Sequence, residues 1–193
     1  MRLFAAVVPP PEARAHLADS LAPVRRSPRG LRWTSPDLWH ATLVFVPAIG
    51  DEALPDLVHR LGDVIAGHRV PAMRIAGAGA FPQARRARVV WVGVHEAGET
   101  GAPSDALVRL AGHVRQAAAP HALEDGREFH PHITIGRLRA PTNVRGVLEE
   151  LAAYRGPAWD ARSVRLVRSR LGAGADGSPR YETLEDFSLT GDS

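Results

Sequence analysis

His40-Ala41-Thr42-Leu43 and His132-Ile133-Thr134-Ile135 repeat one pattern 92 positions apart: histidine, apolar, threonine, apolar, each inside an apolar run. In an extended strand alternate side chains share a face. His40 and Thr42 then point one way with Ala41 and Leu43 behind them, and His132 and Thr134 do the same, backed by Ile133 and Ile135. If the two fronts face each other, the site holds two acid/base groups and two hydroxyl donors. Such a set suits cleavage of a phosphodiester without a metal. One imidazole serves as base, and the other, with its pKa raised above the reference of about 6.5, serves as acid. The threonine hydroxyls donate to nonbridging phosphate oxygens as charge develops on them.

Arg137 ends the second strand and is a candidate to hold the phosphate. Simple alternation turns it away from His132 and Thr134, so contact requires a bulge or a strand twist; its counterpart in the first copy is Phe45. His130-Pro131-His132 has the His-x-His spacing of a chelating strand. The other possible ligands, His121, Glu124, Asp125 and Glu128, are scattered over a loop, so no metal is expected. Trp33, Trp39, Phe81 and Trp91 could stack on a nucleobase or fill the core. Arg85, Arg86 and Arg88 form a local basic loop that could steer an RNA end. His16, His59, His68, His95 and His113 read as surface residues. No Gly-x-Ser-x-Gly elbow, Walker loop or dinucleotide fingerprint occurs in a strand-to-helix setting.

The elements that must hold these residues follow from periodicity. Met1–Val8 reads as a first strand ended by Pro9-Pro10-Pro11. Helical spacing covers 12–24, with Ala13, Leu17, Leu21 and Val24 inward, and 51–66, with Leu54, Leu57, Val58, Leu61 and Ile65 inward. It recurs over 104–119 behind a Ser104 cap and over 143–154 behind Asn143. The motif strands span 39–46 and 129–138. Further strands are expected at 70–78, 87–94, 163–171 and 181–189, with loops at 25–30 and 172–179 and a short link at 96–103. The order strand, helix, strands runs twice, which predicts one α+β domain over 1–193 with pseudo-twofold character, antiparallel sheets and helices outside.

Composition narrows the class. The 193 residues are 45% hydrophobic, ample for a core, and the net charge of +3 is too mild for a polybasic nucleic-acid wrapper. All 24 basic residues are arginine, a bias that accompanies abundant Ala, Gly and Pro. With no cysteine, disulfides and thiolate chemistry are excluded. No apolar run is long enough for a signal or membrane segment, so a soluble cytoplasmic protein is expected.

The chain resembles the 2H phosphoesterase superfamily, and within it the RNA 2',3'-cyclic phosphodiesterases, also called 2'-5' RNA ligases. The likeness runs from the Arg2–Val8 strand through Arg32-Trp33, Leu38-Trp39-His40-Ala41-Thr42-Leu43, Gly79-Ala80-Phe81-Pro82 and Arg88–Val94. It continues through Phe129–Arg137, Ser169-Arg170-Leu171 and Pro179-Arg180-Tyr181. Phe45-Val46-Pro47 departs from the family's usual Phe-Leu-Gly. The resemblance implies a bilobal fold, two antiparallel sheets lining a central cleft, and hydrolysis of a 2',3'-cyclic phosphate RNA end to a 2'-phosphomonoester, with 2'-5' RNA ligase activity beside it. It implies His40 as proton donor to the departing 3' oxygen, His132 as acceptor activating water, and Thr42 and Thr134 as phosphate binders, without a cofactor. The expected partner is an RNA end or cyclic nucleotide, no membrane, and the protein is expected to be a monomer. A small cyclic nucleotide such as an ADP-ribose cyclic phosphate, or noncatalytic RNA binding on the same fold, are the alternatives.

Overall fold

In the computed structural model, the described residues are 1–24, 30–70, 72–98, 104–119, 121–123, 126, 128–174 and 177–190. Residues 25–29 of the expected loop at 25–30, 99–103 of the expected link at 96–103, 175–176 of the expected loop at 172–179, and Glu124 and Asp125 lie outside them. Nine strands and four helices follow in the order β1 (Leu3–Val7), α1 (Pro11–Leu21), β2 (Leu31–Trp33), β3 (Ala41–Val46), α2 (Leu54–Ala66), β4 (Met73–Phe81), β5 (Ala87–Glu96), α3 (Asp105–Ala118), β6 (His132–Thr142), α4 (Arg145–Leu151), β7 (Arg155–Trp159), β8 (Ser163–Arg170) and β9 (Arg180–Ser188). Every strand pairing is antiparallel.

The strand order is β7-β4-β5-β6-β3-β1-β8-β9, with β2 beside the far part of β6. Two antiparallel halves meet at its centre. They are joined by a single Cα pair, Ala41 opposite Ile133, so β3 and β6 touch once and then part. This seam lies in the middle of the two histidine motifs.

The helices cover one side. Ala13, Leu17 and Leu21 of α1, Leu57, Leu61 and Ile65 of α2, Leu107, Leu110 and Val114 of α3, and Val147 and Leu151 of α4 join the rear of the strands in one apolar core. Burying an aliphatic side chain of this kind contributes roughly 1.5–3 kcal/mol. Ser104 caps α3 as expected, its hydroxyl accepting from the Leu107 N–H at 3.1 Å. On the opposite side Phe4, Ala6 and Val167 form a second, small cluster with Phe45 and Tyr181. That side carries the cleft.

Two elements differ from expectation. Arg155–Trp159, to which periodicity assigns no element, is a strand. Its Gly156 and Pro157 suppress the strand signal, yet β7 is an edge strand, where a missing N–H is tolerated. Asn143 does not cap α4; its Oδ1 accepts from the Arg145 N–H at 3.2 Å in a local turn, and the helix begins after Val144. Among the described residues no helix is long and apolar enough to cross a membrane.

Candidate active site

The pairing of Ala41 with Ile133 sets the register of the site. Thr42 and His132 follow this pair at one end of the seam, and His40 and Thr134 at the other. Ala41 and Ile133 are buried behind, at 1% and 0% exposure, whereas the four motif side chains are half-buried on the front. The two histidines flank the pair from opposite ends, and the charge of His132 acts on His40.

Both strands bulge at the same motif position. In β3 the partner register jumps between Val44 and Thr42, leaving Leu43 as the extra residue; in β6 it jumps between Gly136 and Thr134, leaving Ile135. The fourth residue of each copy is therefore the bulge, and the backbone kinks just beyond the threonine. The displaced carbonyls are satisfied from outside their ladders. Leu43 O accepts from Arg115 Nε at 3.1 Å, and Ile135 O accepts from the Thr34 N–H at 2.9 Å. A bulge shifts the alternation by one, so Phe45 and Arg137, which would otherwise face the rear, turn to the front. Arg137 is exposed there, and its charge acts on His40, His132 and Tyr181 alike.

Each imidazole is fixed in the same manner. His40 Nδ1 donates to Leu38 O at 2.7 Å, and His132 Nδ1 donates to His130 O at 2.6 Å. The carbonyls dictate the tautomer, leaving Nε2 of each ring for the cleft. Each ring also has two aromatic neighbours. Phe4 stacks on His40 at 4.5 Å between centroids, and Tyr181 meets it edge-on at 5.4 Å. Phe81 meets His132 edge-on at 5.0 Å and Trp91 lies tilted at 5.8 Å. Trp91 in turn lies across Gly79. A Cβ there would collide with Cζ2 and Cη2 of the indole. Gly79→Ala is expected to displace Trp91 from His132, cost about 1–3 kcal/mol of stability, and lower Tm and turnover together; thermal unfolding followed by tryptophan fluorescence checks it.

These surroundings set the acidity. Burial against Phe4 and Tyr181 pushes His40 down to about 4, outweighing the Leu38 carbonyl, with Arg137 and His132 adding to the fall. His132 is also lowered, first by burial, with His130 and Arg137 contributing and its carbonyl partner opposing. The expectation that one histidine is raised is therefore not met in the ligand-free chain, where both imidazoles are neutral at pH 7. Burial raises Tyr181 and keeps its hydroxyl protonated.

The structure brings together His40, Thr42, His132, Thr134 and Arg137. Trp39 is core instead, 1% exposed, and Trp33 is half-buried on β2. Phe4 and Tyr181 escaped the sequence reading: β1 is apolar throughout and has no alternation to tell its faces apart. His130 is exposed, and no group of three or more His, Asp or Glu side chains gathers among the described residues.

A mixed α/β fold whose antiparallel halves meet at paired His-x-Thr strands is that of a 2H phosphoesterase. Comparison with known proteins agrees over nearly the whole length. The chain belongs to the 2'-5' RNA ligase superfamily, whose profile matches residues 9–173. It is 35% identical to the RNA 2',3'-cyclic phosphodiesterase of Thermus thermophilus, covering 100% of this chain and 92% of that protein. It is 29% identical to the protein of the same name from Archaeoglobus fulgidus, covering 97% and 99%. Among solved structures, TT0787 of Thermus thermophilus superposes with a TM-score of 0.77 at 31% identity over 100% of both chains. LigT of E. coli complexed with 3'-AMP superposes with 0.73 at 26% identity over 98% of both.

Proposed function

We propose that this protein hydrolyses the 2',3'-cyclic phosphate at an RNA end to a 2'-phosphomonoester by metal-independent acid-base catalysis, and that 2'-5' joining is the same displacement of the 3' oxygen with an RNA 5'-hydroxyl in place of water. The observation that carries this reading is the seam. One Cα pair joins the two halves between the two motifs, and the charges of Arg137 and His132 reach His40 there, which supports it. The names of the relatives support the same substrate class.

In the proposed reaction the phosphate lies over the seam with its nonbridging oxygens toward Thr42, Thr134 and Arg137. His132 Nε2 takes a proton from water, which attacks phosphorus in line with the 3' oxygen. The P–O3' bond breaks, and His40 Nε2 delivers a proton to the departing oxygen. The phosphodiester's negative charge favours an imidazolium beside it, so binding itself raises the pKa that burial and Arg137 depress. Because His40 is lowered furthest in the free chain, the donor role falls to it only once substrate is bound. The two lobes act as one domain, since both supply half of the site, and a monomeric cytoplasmic enzyme is part of the same reading.

The test is turnover of a cyclic-phosphate-ended oligoribonucleotide with and without EDTA, with the product resolved as 2'- or 3'-phosphate. Full activity in chelator and a 2'-phosphate product are expected. A need for a divalent ion, or a 3'-phosphate, overturns the mechanism. A small cyclic nucleotide remains the second reading, in view of the ATP and NADP+ complexes of E. coli LigT; relative kcat/KM on the oligonucleotide and on a nucleoside 2',3'-cyclic phosphate separates the two.

A further inference from the structure

A cavity of about 400 Å³ lies beside the catalytic seam, lined by Met1, Arg2, Asp51, Arg168, Ser169 and Arg170. It adjoins the site through shared neighbours. Tyr181, edge-on to His40, stands opposite Ser169 in the β8–β9 register. The Ser169 N–H donates to Arg2 O at 2.9 Å, and the charges of Arg2 and Arg137 both act on Tyr181. A cationic path thus runs from Arg137 past Tyr181 to Arg2 and on to Arg168 and Arg170.

The guanidiniums of this cavity are poorly matched by carboxylates: Asp51, the acid in its lining, pairs with none of the three among the described residues. Arg168 and Arg170 share one acceptor, Glu182 Oε2, each at 3.4 Å. The other end of Arg168 reaches only the Met1 sulfur, at 3.8 Å. Arg2 stacks over Phe45 at 4.2 Å and forms no ion pair among the described residues. The Nε–H groups of Arg2 and Arg168 are buried without an acceptor. A buried donor left unpaired costs about 1–3 kcal/mol, and phosphate is the anion whose oxygens fit such forks.

A second cavity, of about 570 Å³, lies at the other end of β1 and β8 and also holds three arginines, Arg14, Arg162 and Arg165. There each has its own carboxylate: Asp37 at 3.5 Å, Asp160 at 3.8 Å and Asp186 at 3.1 Å. Glu12 lines it as well. The Arg14 Nε–H is buried without an acceptor as well, but three carboxylates pair the three guanidiniums there, whereas in the first cavity one serves both Arg168 and Arg170 and none among the described residues serves Arg2.

We propose that the Arg2–Arg168–Arg170 cavity is a second phosphate subsite, which takes the backbone phosphate upstream of the reacting one and so selects an RNA strand over a single nucleotide. The inference rests on the reaction proposed above. It also orients the strand, with the terminal cyclic phosphate at the seam and the preceding chain passing Tyr181 toward β8.

The test compares wild type, Arg170→Gln, Arg170→Glu and Arg162→Gln on a cyclic-phosphate-ended tetraribonucleotide and on a nucleoside 2',3'-cyclic phosphate lacking a 5'-phosphate. Arg170 is suited to substitution because its side chain is 55% exposed, against 27% for Arg168. Wild type should prefer the oligonucleotide. In Arg170→Gln the ratio of kcat/KM, oligonucleotide to mononucleotide, should fall about tenfold at low salt, through KM, and the salt slope on the oligonucleotide should lose about one unit. Arg170→Glu should fall further. Equal wild-type kcat/KM on the two substrates, an unchanged ratio in both Arg170 variants, or an equal fall in Arg162→Gln each overturns the subsite while leaving the reaction standing. A wild type inert on both substrates overturns the reaction itself, and the subsite with it.

Discussion

Alanine at His40 or at His132 is expected to lower kcat on a cyclic-phosphate-ended RNA by about 10²–10⁴-fold, and the double variant to fall little further. The reason for the shared loss is geometric. The two rings flank one seam with matched Nδ1 anchors, so each reaction needs both, and removing the first already abolishes concerted proton transfer. The variants also separate the roles. A substrate whose 3' oxygen is replaced by sulfur leaves as a thiolate and needs no proton. Such a substrate should restore most of the activity of His40→Ala and little of that of His132→Ala. Rescue of His132→Ala instead would exchange donor and acceptor; loss of less than about tenfold in both single variants would remove the paired imidazoles from the chemistry.

The pH dependence follows from the same two rings. The reactive form of the free enzyme carries one proton across the pair, and kcat/KM reports the free enzyme. Both imidazoles are lowered from 6.5, His40 to about 4. As pH rises through these values the shared proton is lost, so kcat/KM should peak below 6.5 and decline through neutrality. Binding places a phosphate anion beside the rings and raises their affinity for a proton. The alkaline limb of kcat should therefore lie at higher pH than that of kcat/KM.

The residues of the site differ in how far they could be read from the chain. His40, Thr42, His132 and Thr134 are legible because a strand's alternation is local: the buried Ala41 and Ile133 on one face oblige their neighbours to occupy the other. The helices are legible for the same reason at a different period, as Leu57, Leu61 and Ile65 illustrate. What alternation conceals is its own interruption. Leu43-Val44 and Ile135-Gly136 each place two buried residues in succession, and that doublet is the only trace of the bulges in the sequence. The partners that stabilise them, Arg115 and Thr34, lie far along the chain. Tyr181 comes from β9, separated from β3 by β1 and β8, so no spacing connects it to His40. Long-range contacts of this kind are properties of the packed sheet.

Arg137 is the residue whose role depends wholly on such an interruption, and its replacement carries the second large effect. Arg137→Gln is expected to lower kcat/KM by about 10²–10³-fold, the loss typical of one preorganised donor at a developing oxyanion. A second signature accompanies it. The guanidinium's positive charge opposes protonation of both His40 and His132. Removing it must raise both pKa values, so the maximum of kcat/KM should move to higher pH even as its height falls. A residue that merely braced β6 would lower activity or stability without moving the profile. A profile that stays in place would therefore show that Arg137 does not face the imidazoles, and the bulge at Ile135 would lose its functional meaning. Phe45, the counterpart turned forward by the bulge at Leu43, instead meets the guanidinium of Arg2. The two halves thus use the same backbone device for different ends: one presents a charge to the phosphate, and the other seats a charge at the entrance to the neighbouring cavity.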